Sequence, residues 1–147
     1  MRRFRISVTG TAVFLCLLLA AGPLLLAQGN EKPKESAVGV KRIGVNDAAS
    51  LIEENKDNPD FVILDVRTPG EFSEGYIENA LNLDVNSESF RDEVVKLDTG
   101  KTYLIHCRSG ARSARVGALM EELGFDNIYD MEGGFIAWEK EGLPVTK

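Results

Sequence analysis

From Val40 onward, short β-branched or aromatic runs alternate with segments of helical period about five times, and this alternation constrains the fold more than any other feature. A strand, a helix and a second strand return in parallel, so the pattern predicts an α/β domain with a mostly parallel central sheet and helices on both faces. The strand candidates are Val40 to Ile43, Phe61 to Leu64 closed by Asp65, Leu81 to Val85, Thr102 to Cys107 and Asn127 to Asp130. Phe61-Val-Ile-Leu64 shows no polar alternation, as expected of a strand covered on both faces. Between them, Asn46 or Asp47 is placed to cap a helix through Ala48, Leu51 and Ile52 to about Asn55. Ser87 or Ser89 is placed to cap one around Phe90, Val94 and Leu97. Ser113 opens a helix with Val116, Leu119, Met120 and Leu123 at i, i+3, i+4 and i+7, with Gly124 as its C-cap. Gly133-Gly134 leads into a short helix carrying Phe135 and Trp138, both read as core. The stretch with Pro69, Gly70 and Gly75 reads as a polar connection.

Charge divides the chain into a head and a body. The formal charge of the 147 residues is −6, from 17 Lys and Arg against 23 Asp and Glu, but the first 30 residues hold Arg2, Arg3 and Arg5 and no acid. The body alone is therefore near −9, which excludes nucleic-acid binding by bulk phosphate attraction. In the head, a basic start precedes the apolar run Ala12 to Ala21, a Gly22-Pro23 break and Leu24 to Ala27. A core of this length fits the about 7–15 residues of an export signal better than the about 20 of a membrane span. Residues 1–27 are expected to be a signal peptide ending at Ala27, with an uncleaved membrane anchor from Ile6 to Ala27 as the alternative. Residues 28–39 are polar and aperiodic and read as a linker. Residues 40–147 are the folded domain, exported and periplasmic on this reading.

In open parallel sheets, sites form where strand carboxyl ends meet helix amino ends. Here that place is Arg108-Ser-Gly-Ala-Arg112, between Cys107 and Ser113. A short loop feeding a helix start offers backbone N–H groups without intrahelical partners, and Gly110 allows them to turn inward as an anion-binding nest. Such a setting lowers a thiol pKa, so Cys107 is expected to be a nucleophile near neutrality. From Thr99 to Met120 there are four cations, Lys101, Arg108, Arg112 and Arg115, and no acid, which predicts a locally positive mouth. Arg112 and Arg115 lie where the helix dipole disfavours cations, so an anion is expected to offset them. Arg112 is placed to help bind that anion and Arg108 to steer it from the rim. With Cys16 in the removable head, Cys107 would be the one thiol of an exported protein; it has no structural disulfide to form and is either inert or reactive.

At these residues the chain resembles the rhodanese-like (sulfurtransferase) family, over about Val40 to Gly142. Leu64-Asp-Val-Arg67, with Glu71-Phe72 and Gly75 to Leu83, is similar to its first signature. Cys107-Arg-Ser-Gly-Ala-Arg-Ser113 is similar to its active-site loop, and Gly133-Gly134 with Trp138 to its closing element. The family often has His, Pro and Gly where this chain has Tyr76, Glu78 and Asn79. The resemblance implies that Cys107 takes the outer sulfur of a small anionic donor such as thiosulfate as a persulfide, cradled by Arg108, Ser109, Gly110, Ala111, Arg112 and Ser113. A thiophilic acceptor such as cyanide or a thiol then removes it; the sequence itself has no Cys/His cluster at metal-ligand spacing and no Gly-rich nucleotide motif, so no metal and no cofactor are expected.

Two rival functions stand beside this one. In the first, the loop is a sulfur carrier or anion-binding module for a relay partner, loading once and turning over slowly. Cysteine phosphatases and arsenate reductases also hold a thiolate in an anion cradle, but four residues separate Cys107 from Arg112, a loop better sized for one sulfur than for a tetrahedral oxyanion. His106 and Cys107 are neighbours on a strand and point to opposite faces, which argues against His106 as its base. Asp65 and Arg67 support the site either by orienting loop N–H groups or Arg side chains or, the preferred reading, as a structural pair with Glu71 or a helix end. Glu53-Glu54 and Glu121-Glu122 read as solvated helix faces.

Overall fold

In a computed structural model, residues 39–147 are described; the expected signal peptide and nearly all of the expected linker lie outside them. The described chain runs β1 (Val40–Ile43), α1 (Val45–Glu54), β2 (Phe61–Asp65), α2 (Pro69–Glu74), β3 (Leu81–Asn82), α3 (Phe90–Val94), β4 (Thr102–His106), α4 (Ala111–Glu122), β5 (Asn127–Met131) and α5 (Gly134–Lys140). The five strands form one sheet in the order β1-β5-β4-β2-β3, and every pairing is parallel. The expected architecture is thus the observed one. Parallel strands need crossovers that cover both faces of the sheet, and the core divides accordingly. One apolar cluster packs Leu64, Tyr103 and Ile105 under Phe90 and Val94 of α3 and Val116 and Met120 of α4. The other packs Ile63, Leu104 and Met131 under Val45 and Ala48 of α1 and Phe135 and Trp138 of α5. Glu53, Glu54, Glu121 and Glu122 are exposed, as the sequence indicated.

Element ends differ from the sequence reading in instructive ways. Neither Asn46 nor Asp47 caps α1: extended Gly44 does, its carbonyl accepting the Ala48 N–H, and Asp47 lies in the first turn. Pro69–Glu74 is a helix, not a polar connection. Thr68 accepts the Glu71 N–H while the Glu71 carboxylate accepts the Thr68 N–H, a reciprocal cap with proline at the helix start. β3 is shorter than expected, because the Asn82 side-chain amide turns to the Asp65 and Arg67 carbonyls and fastens the end of β2. Ser89 occupies the N-cap of α3 in an αR conformation without capping, its hydroxyl donating instead to Glu93, and Leu97 lies past the helix. α4 begins at Ala111, with Ser113 in its first turn. At its other end Gly124 stands one position beyond the Leu123 cap, and the Gly124 and Phe125 N–H groups close the last turn on Glu121 and Met120.

Candidate active site

Cys107 follows β4 at the centre of the sheet, beside the carboxyl end of β2: the Val66 N–H donates to the His106 carbonyl at 2.9 Å. The chain then turns through Arg108 and Ser109, both exposed, into Gly110, the N-cap of α4. Gly110 has φ +97°, a left-handed conformation that a residue with a Cβ adopts at a cost. This turn aims the Gly110 N–H at the Cys107 Sγ, 3.1 Å away. Burial pushes the Cys107 thiol up. The Ser113 amide, the Ser109 amide, the Ser113 hydroxyl and the Gly110 amide pull it down, and together they prevail, so the thiol lies below its ordinary value. The Gly110 amide that the sequence placed in this turn thus faces the sulfur.

The loop is held from behind by α5. Its first free amides, those of Phe135 and Ile136, donate to the Cys107 and Arg108 carbonyls at 2.8 and 3.0 Å. Only a glycine fits at Gly134: a Cβ there would lie 2.5 Å from the Cys107 carbonyl oxygen. The Gly133-Gly134 pair therefore positions the cysteine loop as well as starting a helix.

Three supporting residues take other places than the sequence suggested. Arg67 is paired with Asp65, not Asp65 or Arg67 with Glu71: Nη2 lies 2.6 Å from Asp65 Oδ2, both side chains are buried, and the guanidinium reaches the Gly75 carbonyl and stacks on Phe135. Their hydrogen bonds fasten the end of β2 to the Gly75 cap of α2, and the stack on Phe135 carries the contact on to α5. Glu71 instead grips Arg112, with bonds of 2.8 and 2.7 Å across 41 residues of sequence. The Arg112 guanidinium lowers the Glu71 carboxyl to about 2, and Glu71, with a smaller contribution from Cys107, raises Arg112. Arg112 thus stands between a carboxylate and the sulfur with its charge already balanced. The locally positive mouth read from the sequence window is offset in space: Glu71 pairs with Arg112, and Glu74 and Glu139 line the cleft beside Arg108.

His106 faces the opposite side of the sheet from Cys107. It stacks on Phe135, its Nε2 is 3.7 Å from Asp65 Oδ2, and both ring nitrogens lack hydrogen-bond partners. Burial lowers its pKa, with the Asp65 charge opposing, so it sits neutral and structural. Cys107 has no accessible surface, although it lies directly beneath the exposed residues Arg108 and Ser109. In this conformation the loop closes the sulfur off from solvent. A cleft of about 330 Å³ lies elsewhere, over Ile52, Phe61, Ile63 and Trp138. Among the described residues no cluster of His, Cys, Asp or Glu is placed to hold a metal.

Residues 47–141 match the Rhodanese-like domain family. The chain belongs to that family. A sulfurtransferase of Allochromatium vinosum is 35% identical to this rhodanese-like domain over 100 residues, covering 68% of this chain and 92% of that protein. The tRNA uridine(34) hydroxylase of Photorhabdus laumondii is 33% identical over 107 residues, which cover 66% of this chain but only 30% of the hydroxylase. Among solved structures, the homodimeric polysulfide-sulfur transferase of Wolinella succinogenes superposes with a TM-score of 0.60 at 33% identity, covering 76% of this chain and 80% of that one. Rhodanese-like proteins of sulfur transfer are thus among its relatives.

Proposed function

We propose that this rhodanese-like domain is a sulfurtransferase that carries sulfane sulfur as a persulfide on Cys107. The single observation that supports this best is the Gly110 N–H held 3.1 Å from Sγ at the start of α4, which favours the thiolate. The thiolate attacks the outer sulfur of a small anionic donor such as thiosulfate. An S–S bond forms to Cys107, the donor's own S–S bond breaks, and sulfite leaves with its electron pair. The terminal sulfur of the persulfide retains one negative charge, which the loop amides of Ser109, Gly110 and Ser113 are placed to accept, with Arg108 at the rim. An acceptor such as cyanide or a thiolate then attacks that terminal sulfur, and the Cys107 thiolate leaves, ready for another cycle. Ala111 and Arg112 complete the loop; Asp65 and Arg67 brace it from β2.

One observation favours the carrier reading as a second possibility: the sulfur has no accessible surface, so turnover is limited by loop opening, which a relay partner could promote. A single-turnover assay separates the two. With thiosulfate alone, wild type is expected to release one sulfite per chain, and adding cyanide gives steady turnover for an enzyme but slow turnover for a carrier. No sulfite release, or equal release from Cys107→Ser, overturns both. The basic, apolar head supports an exported, periplasmic setting for this chemistry, tested by sequencing the amino terminus of the protein recovered from cell fractions.

A further inference from the structure

We propose that the cleft between Asp130 and the start of α4 is the subsite for a small zwitterionic thiol, an amino acid bearing a thiol group, that accepts the sulfur from Cys107. The inference rests on Cys107 carrying that sulfur, as proposed above. Asp130, near the end of β5, is 2% exposed, yet its Oδ1 has no hydrogen-bond partner. Its Oδ2 faces the Arg42 Nε at 3.7 Å, beyond hydrogen-bond reach, from a side chain 61% exposed. The Ser113 hydroxyl, in the first turn of α4, gives its proton to the Gly110 carbonyl instead. A buried carboxylate without partners carries a desolvation cost that an incoming hydrogen-bond donor relieves.

The cleft is about 290 Å³, enough for one amino acid, and its lining carries both signs of charge. Asp130 and exposed Glu132 supply the negative side and exposed Arg42 the positive. Gly110 and Ala111 bring in the start of α4, a helix of 12 residues whose amino end bears partial positive charge. A simple cation in this cleft meets Arg42 and the helix end, and a simple anion meets two carboxylates. A zwitterion satisfies both, with its ammonium on Asp130 and its carboxylate toward Arg42 and α4. The subsite also lies close to the sulfur. Asp130 stands in register with Ile105, two residues before Cys107, so strand spacing puts the Asp130 and Cys107 Cα atoms about 8 Å apart. An ammonium on Asp130, two carbons and a thiol sulfur span most of that interval. The ligand thiol gives its proton to water and attacks the terminal sulfur of the persulfide. A new S–S bond forms to the ligand, the bond from that sulfur to Cys107 breaks, and Cys107 leaves as the thiolate.

L-Serine, isosteric with cysteine but without a thiol, tests the subsite independently of any persulfide. Its binding to the full chain is followed through the backbone amide NMR shifts of Gly110, Ala111 and Gly133, which line the cleft, with 3-hydroxypropionate, which lacks the ammonium, as the comparison. Serine is expected to give saturable shifts in wild type and to bind about tenfold more tightly than 3-hydroxypropionate, and Asp130→Asn is expected to weaken serine by about tenfold. No saturable shift with serine, equal affinities for the two ligands, or serine affinity unchanged in Asp130→Asn overturns the proposal; the ligand comparison in wild type needs no variant. In the chain loaded from thiosulfate, cysteine is expected to discharge the persulfide about tenfold faster per thiolate than 3-mercaptopropionate, a ratio falling toward one in Asp130→Asn. Both thiols meet the same persulfide, so a general loss of activity cancels in the ratio. Serine binding with equal discharge by the two thiols refutes the acceptor role. Failure to load sulfur refutes the persulfide on Cys107, and the serine titration then judges the subsite by itself.

Discussion

Replacing Gly134 with alanine tests whether α5 holds the cysteine loop by close backbone contact. The new Cβ would stand 2.5 Å from the Cys107 carbonyl oxygen and 2.7 Å from the Arg108 carbonyl carbon and oxygen. These are backbone atoms, so no rotamer change relieves the clash. At φ +57° the left-handed conformation costs alanine about 1–2 kcal/mol, less about 0.4–1 kcal/mol for the stiffer unfolded chain. Forcing the two segments apart adds about 1–3 kcal/mol, so a total loss of about 1–5 kcal/mol is expected. Gly124→Ala is the control: φ is +85° and nothing lies within 4 Å of its Cβ, which leaves the conformational cost of about 1 kcal/mol. Urea unfolding of the two variants reads the difference, and iodoacetamide alkylation reads the loop, since displacing the Cys107 and Arg108 carbonyls also displaces the amides around Sγ. Gly134→Ala no less stable than Gly124→Ala, with wild-type alkylation, would refute the reasoning.

Three further outcomes are expected. Glu71 titrates at about 2 in the folded chain against an ordinary 4.5, so its contribution to stability is complete above the ordinary value and lost as pH falls through the folded one; Glu71→Gln should flatten the stability profile over that window, measured by urea midpoints. Arg67→Met leaves buried Asp65 uncompensated and should cost about 3–5 kcal/mol, while adding Asp65→Leu should recover most of it; no recovery would mean that packing, not charge, sets the loss. Because Cys107 has no accessible surface, a bulky maleimide should lag behind iodoacetamide by more than it does on a free thiol, and an equal ratio would indicate a mouth already open.

What the sequence made legible was local. The continuous apolar runs at Phe61 and Tyr103 identified buried parallel strands, and Cys107 before a glycine-containing turn located the anion nest, because strand ends and helix starts are written in neighbouring residues. The Thr68–Glu71 cap with Pro69 was also written there and is a recognisable helix start; its short, polar helix has no apolar period to announce it. The Glu71–Arg112 pair was not legible, since 41 residues separate the partners and only the β2–β4 pairing brings them together. The same holds for Gly134, whose need for glycine arises from the close approach of the Cys107 loop. Local charge counting failed at the mouth for this reason: a window without acids in sequence is supplied with Glu71, Glu74 and Glu139 in space.

The most direct measurement is the intact mass of the full chain after incubation with thiosulfate. A gain of one sulfur atom in wild type, absent in Cys107→Ser and discharged by cyanide as thiocyanate, is the predicted result. A wild-type mass that gains no more than Cys107→Ser, under conditions where iodoacetamide labels Cys107, would contradict a persulfide-forming thiolate at this loop.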